Sequence, residues 1–186
     1  MAERWPPIYD SDDLATCIEQ AAGRVGTLGI WEPSRPEKFE PEVCQGDVLQ
    51  VSRGLPLLGE GLRPRVSIAA YDFWLVLGNT CDFARDKTDV PWTQLVPIHD
   101  IKPIDDVEPN VLADFSGYRL SRRFYLPPWP GAANQFRFAD FLTPVAASKV
   151  EIPEHTTVVA RMSRIGWILL HSCLVRFFCR DDGRFD

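Results

Sequence analysis

Tyr71–Ala84 reads YDFWLVLGNTCDFA, and the rest of the chain can be organised around it. The apolar run Phe73–Leu77 is too short for a typical helix and rich in residues that suit a pleated sheet, which predicts a buried strand. It stops at Gly78-Asn79-Thr80-Cys81-Asp82, a small and polar cluster that predicts a turn. One strand thus delivers an amide, a hydroxyl, a thiol and a carboxylate to one edge of a sheet. The same residues also suit a plain strand end, where Asn79, Thr80 and Asp82 cap a turn through side-chain-to-backbone bonds.

Upstream, the strand reads as one long element over Val66–Leu77 with a bend near Ala69. The loop before it carries Arg53, Arg63 and Arg65, and the sheet begins at Gln45–Val51. Downstream, Leu95–Ile98 predicts another strand, ending at His99 and Asp100. Val107–Phe115 reads as a short helix or a loop. Tyr118–Leu126 reads as a hairpin arm closed by Pro127-Pro128-Trp129-Pro130. In Gln135–Phe141 the three phenylalanines are assigned to one face and the polar residues to the other. Thr156–Met162 is a β-branched strand candidate.

Helices bracket this sheet. Residues 11–24 place Leu14, Ile18 and Ala21 on one side, with Cys17 beside that face as a small packing residue. Gly23, Gly26 and Gly29 then loosen the chain into a polar, proline-rich connection, a linker or an arm that wraps another subunit. Over 163–180 the polar positions Arg164, Ser172, Arg176 and Arg180 trace one narrow stripe, and the remainder is largely apolar. That pattern predicts a buried helix that covers an end of the barrel or lies in a dimer interface. The sixteen prolines leave room for short strands and few long helices. The expected fold is α+β. A small, strongly bent antiparallel sheet or SH3-like barrel spans 44–162 with insertions, within one domain of 186 residues.

Composition narrows the function classes. A hydrophobic share of 45% and a charged share of 25% are those of an ordinary globular protein. With a net charge of −6 the chain has no global attraction to nucleic acid or anionic lipid, so either partner would need a local basic patch. Five cysteines without a tight pairing pattern argue against a secreted disulfide framework. The opening MAERWPPIYD lacks the basic start and apolar core of a signal peptide, and no apolar stretch reaches the length of a bilayer span. These features predict a cytoplasmic protein with no membrane partner.

Cysteines at 17, 44, 81, 173 and 179 form no CxxC pair, and no HxxxH or HExxH motif is present. No metal site and no cofactor are therefore predicted. Cys81 is a candidate nucleophile for a cysteine-dependent hydrolase, but a thiolate needs a base and an electropositive setting, and Asp82 works against both. The basic run Arg119, Arg122 and Arg123, flanked by Tyr118, Phe124 and Tyr125, is the one local patch suited to nucleic acid or a phosphorylated partner. Its plain alternative is a solvated arm whose arginines pair with nearby carboxylates. Trp129 among its prolines is either an exposed docking element or a lid folded onto the core.

Gln45-Gly46-Asp47-Val48, Arg63-Pro64, Leu75-Val76-Leu77-Gly78-Asn79 and Leu95-Val96-Pro97-Ile98 occur in an order that resembles the MazF/PemK group. These are SH3-like barrel toxins that cleave RNA, and the likeness spans about residues 44–101. The resemblance implies an arginine after the first strand, Arg63 or Arg65 by position, and a threonine just after the Val-Pro strand. Ile98 and His99 stand in the threonine's place. Cleavage by a neighbouring 2′-hydroxyl needs proton transfer, which falls to His99, and a cation for the phosphorane, which falls to Arg63 or Arg65.

Sparse catalytic candidates, an acidic surface and aromatic loops place a non-enzymatic protein-interaction subunit first among the readings. Its binding candidates are Asn79, Asp82, Arg119, Arg122, Arg123, Tyr125 and Trp129. A protein partner and a homo-oligomer through the C-terminal helix are expected. The resemblance suggests a toxin–antitoxin or antiviral-defence assembly as the setting. An RNA-cleaving enzyme using Arg63 or Arg65 with His99 comes second, and the hydrolase at Cys81 third.

Overall fold

In the computed structural model, residues 11–33, 42–80, 83 and 89–179 are described. The predicted strand exists as β4, Phe73–Val76, the fourth in chain order after β1 (Val48–Val51), β2 (Leu55–Leu58) and β3 (Pro64–Ser67). After it come β5 (Trp92–Pro103), β6 (Arg123–Leu126), β7 (Gln135–Asp140), β8 (Val145–Ser148) and β9 (Thr156–Ala160). The α-helices are α1 (Ser11–Leu28), α2 (Pro109–Ser116), α3 (Ile152–His155) and α4 (Arg164–Cys179), and single 3-10 turns lie at Glu60–Leu62 and Ile104–Asp106.

The strands run in the order β3-β2-β8-β5-β4-β1-β9, every pairing antiparallel, and the sheet curls into a half-barrel. The long strand β5 closes the curl. Its first half pairs with β4 and β8, and its second half leaves them to pair with β7, which in turn carries β6. A register shift between Asp100 and Lys102 marks the bend.

Apolar runs such as Phe73–Leu77 arise because both faces of the central strands are covered. Leu75, Val96 and Val48 point toward α1, α4 and the β6–β7 hairpin. Trp74, Val76, Leu95 and Leu49 point toward a second cluster with Leu55, Ala147 and Ile152. Leu49, Leu75 and Leu95 are fully buried, each worth about 1.5–3 kcal/mol relative to exposure. Just past β4 the chain needs glycine at 78, because a Cβ there would run into the Thr93 side chain on β5.

Several expectations are revised. Val66–Leu77 is not one strand: Ile68–Asp72 separate β3 from β4, and β3 lies at the far edge of the sheet. Helix α1 continues through Gly23 and Gly26 and stops at Gly29, whose φ of +83° suits glycine and whose N–H bonds to Val25 O at 2.8 Å. Cys17 is exposed and not packed. Phe136 and Phe138 share a face with Asp140, whereas Phe141 lies past the end of β7 and packs on Phe124 and Phe177. The C-terminal helix is present as α4 and packs against α1. Ile165, Leu169, Leu170 and Cys173 face inward, while Trp167 and Phe178 reach solvent.

Candidate functional site

The half-barrel leaves a cleft with two hollows. The first, about 450 Å³, lies among Phe73 on β4, Val159 on β9, Arg137 on β7 and Arg161 just past β9. The second, about 560 Å³, lies between the end of α1 and the Pro127–Pro130 segment, with Tyr118 and Tyr125 in its wall. Both hollows share Trp31, Glu32, Trp129 and Pro130, so they are two halves of one groove.

The ridge between them is aromatic. Trp31 and Trp129 meet edge to face with centroids 5.9 Å apart, and Phe73 meets Trp129 at 5.1 Å. Trp31 is held in place by donating its indole N–H to Pro127 O at 2.9 Å. Trp129 is only 4% exposed, so the proline-rich segment is folded onto the core rather than projecting from it. Arg137 lies over the Trp129 ring at 4.8 Å and the Phe73 ring at 5.6 Å. Its Nε donates to Asp100 Oδ2 at 3.0 Å, and its Nη1 donates to Ala133 O at 2.9 Å. The guanidinium is thus a structural plug between rings.

Arg161 is held from behind by Asp47, whose side chain has no solvent exposure. Arg161 donates through Nε to Oδ1 at 2.8 Å and through Nη2 to Oδ2 at 2.7 Å, and the Cys44 amide donates to Oδ2 at 2.8 Å. Burial lifts the Asp47 carboxyl above its ordinary value, opposed by Arg161 and that amide. Burial also pulls the guanidinium down, but its bonds to Asp47 more than reverse this and leave it raised.

Gln45 ties the same turn to three further elements. Its N–H donates to Thr80 Oγ1 at 3.0 Å and its side-chain amide to Leu77 O at 2.8 Å. Its Oε1 accepts the Trp167 indole N–H at 3.1 Å and lies 2.9 Å from His171 Nε2. Burial lowers the His171 pKa, which favours the neutral ring. Cys44 beside it is lifted by burial and then by Asp47, so it stays a thiol.

The nuclease candidates are dispersed. Arg63 and Arg65 are exposed at the β3 edge, separated from β5 by β2 and β8. His99 sits on β5, its ring stacked on Phe138 at 5.0 Å and edge-on to Tyr71 at 4.9 Å. A hollow of about 300 Å³ beside it is lined by Tyr71, Asp72 and Asp100, and neither arginine reaches it. The basic run is also divided. Arg119 pairs with Asp114 at 3.2 Å, Arg122 forms a fork on Asp140 with bonds of 2.6–2.9 Å, and Arg123 covers the Phe138 ring at 5.1 Å. Tyr125 is buried, and Asn79 is exposed at its turn. Cys81 and Asp82 lie outside the described residues.

Of the residues proposed from sequence, only Tyr125 and Trp129 meet at the cleft. Trp31, Arg137, Gln45 and the Asp47–Arg161 pair were not proposed as site residues, although Gln45 and Asp47 stand in one of the motifs that carry the resemblance. The one available signal was a charged residue inside an aromatic-rich strand, Arg137 in QFRFAD. The ionisable groups lining the cleft are Glu32, the two arginines and two tyrosines, whose phenols burial lifts, Tyr118 well above its ordinary value. Among the described residues no cluster of histidine, cysteine and carboxylate groups could hold a metal ion. No helix among them is long and apolar enough to cross a membrane. No family model, curated protein or solved structure matches the chain.

Proposed function

We propose that this chain is a non-enzymatic protein-interaction subunit whose aromatic cleft holds an extended, apolar segment of a partner protein. The observation that carries this reading is the shared Trp31–Trp129 ridge between two hollows. An extended segment seats alternate side chains on one face, so consecutive apolar residues of that face can enter the two hollows in turn. The arginines of the groove are committed to carboxylates, and its walls are rigid rings, which lowers the entropy lost on binding. A toxin–antitoxin or antiviral-defence assembly as the setting rests on the MazF/PemK resemblance alone. The ribonuclease reading draws less support, because Arg63, Arg65 and His99 do not surround one cleft.

Gly26 supplies the test. It lines the second hollow, and a Cβ added there would meet nothing within 4 Å. Gly26→Trp therefore plugs the groove without straining α1, and it replaces a poor helix former. Displayed peptide libraries selected on the wild-type protein are expected to yield extended apolar or proline-containing binders that Gly26→Trp loses, at a melting temperature no lower than that of the wild type. Failure to enrich any binder, or binders indifferent to Gly26→Trp, refutes the reading. Mixed RNA incubated in parallel decides the alternative: cleavage lost in His99→Ala and in Arg63→Ala/Arg65→Ala would replace this proposal with the nuclease.

A further inference from the structure

The β2–β3 hairpin has properties the cleft does not explain. Strand β3 is a terminal strand of the sheet, and among the described residues it pairs with β2 alone. Pro64, Arg65 and Val66 are all exposed, so the strand has solvent on both faces. Apolar side chains cluster here in the open: Ile68 is 98% exposed, Leu62 73% and Val66 48%. Arg63 and Arg65 lie at the start and in the middle of this edge, Arg53 lies in the turn before β2, and none of the three forms an ion pair with a described residue. In a chain of net charge −6 this edge is locally positive, with Glu60 its nearest opposing charge in sequence.

The backbone register decides what the edge offers. Pro56, opposite Val66, has no N–H to give, and Gly59 donates to Arg63 O at 2.9 Å. Arg63, Arg65 and Ser67 therefore turn their backbone groups toward β2, whereas Pro64, Val66 and Ile68 turn theirs outward. Among the described residues, the Pro64 carbonyl, both groups of Val66 and the Ile68 N–H have no backbone partner. Side chains alternate in step. Arg63 and Arg65 share one face, and Pro64, Val66 and Ile68 the other.

We propose that the outer edge of β3 takes an added strand from a partner protein, an extended segment in which acidic residues alternate with apolar ones. The segment bonds to the free groups of Val66, its carboxylates lie beside Arg63 and Arg65, and its apolar residues cover Val66 and Ile68. A second copy of this chain is disfavoured as the occupant, because pairing β3 with itself brings the arginines of both copies together.

The probe is a short acetylated peptide of alternating glutamate and valine, compared with a block peptide of the same composition and with an alternating lysine–valine peptide. Binding is read by fluorescence polarisation and by hydrogen exchange at the Val66 and Ile68 amides. Val66→Pro removes an N–H that β2 does not use, and Arg65→Glu reverses an exposed charge, so both variants keep the fold. The expected result is binding of the glutamate–valine peptide alone, slowed exchange at both amides, weakening with salt, and loss of about tenfold or more in each variant. Gly26→Trp leaves this binding unchanged, which separates the edge from the cleft. The proposal is overturned by absence of binding, by equal binding of either control peptide, or by a Val66→Pro variant that binds like the wild type. Concentration-dependent protection of the Val66 amide without peptide would assign the edge to a second copy and overturn it as well.

Discussion

Replacing Arg161 by methionine keeps much of the side-chain volume and removes the charge that faces Asp47. The carboxylate, with no solvent exposure, is left among the described residues with the Cys44 amide. Removing one member of a buried pair costs about 3–5 kcal/mol, because the other charge stays buried without compensation. Arg161 keeps 15% of its side chain in contact with solvent, which lets water relieve part of that cost and places the expectation near 3 kcal/mol. For a domain of this size that lowers the melting temperature by about 6–12 °C.

The pH dependence has a definite sign. Burial already raises the Asp47 pKa in the folded protein, and loss of Arg161 raises it further. A folded-state pKa above the unfolded one means that the folded protein binds the proton more tightly. Stability is then highest below the ordinary carboxylate value and falls as pH rises toward the raised one. The deficit of Arg161→Met should therefore shrink on acidification. The double variant Asp47→Asn/Arg161→Met should recover most of the loss at pH 7, since asparagine keeps an acceptor for the Cys44 N–H. Urea unfolding of the four proteins between pH 4 and 8 gives the cycle directly. A single-variant loss under about 1 kcal/mol, or a double variant as unstable as the sum of both singles, would refute the view that this pair fixes the cleft's wall.

Two further outcomes are expected. Gly166→Ala should destabilise the protein by about 1–3 kcal/mol, although alanine favours helices, because its Cβ would press into the Ile30 carbonyl where α4 meets the chain after α1; a neutral or raised melting temperature would refute that close approach. With iodoacetamide at pH 8, Cys17 should label rapidly in the folded protein, whereas Cys173, buried and with its thiol pushed up to about 12, should label only on unfolding; peptide mass spectrometry showing equal rates would refute its burial.

Local patterns carried the parts of this fold that are local. Phe73–Leu77 announces a strand covered on two faces, and the stretch after Ser163 announces a helix, because each pattern repeats within a few residues. Val66–Leu77 misled because Ile68, Ala69 and Ala70 are apolar enough to read as strand, although Ile68 stands in solvent. The cleft was illegible for a different reason. Asp47 and Arg161 lie 114 residues apart, and Gln45 meets His171 over 126. Nothing around a single aspartate or glutamine records which distant side chain will neutralise it. Trp129 was ambiguous in the same way, since its burial depends on Trp31, Phe73 and Arg137 arriving from three other elements.

The wide sequence span between β1 and β9 sets an order of events during synthesis. At roughly 5–20 residues per second, Asp47 is made about 6–23 s before Arg161 exists to meet it, the interval for 114 residues. During that time β1 can pair with β4, but the β9 side of β1 has no native neighbour yet. The nascent chain must therefore keep an apolar strand edge and an unneutralised carboxylate in water until β9 and Arg161 emerge. Completion of the sheet waits for β9, and until then the unpaired side of β1 is open to chaperones and to aggregation.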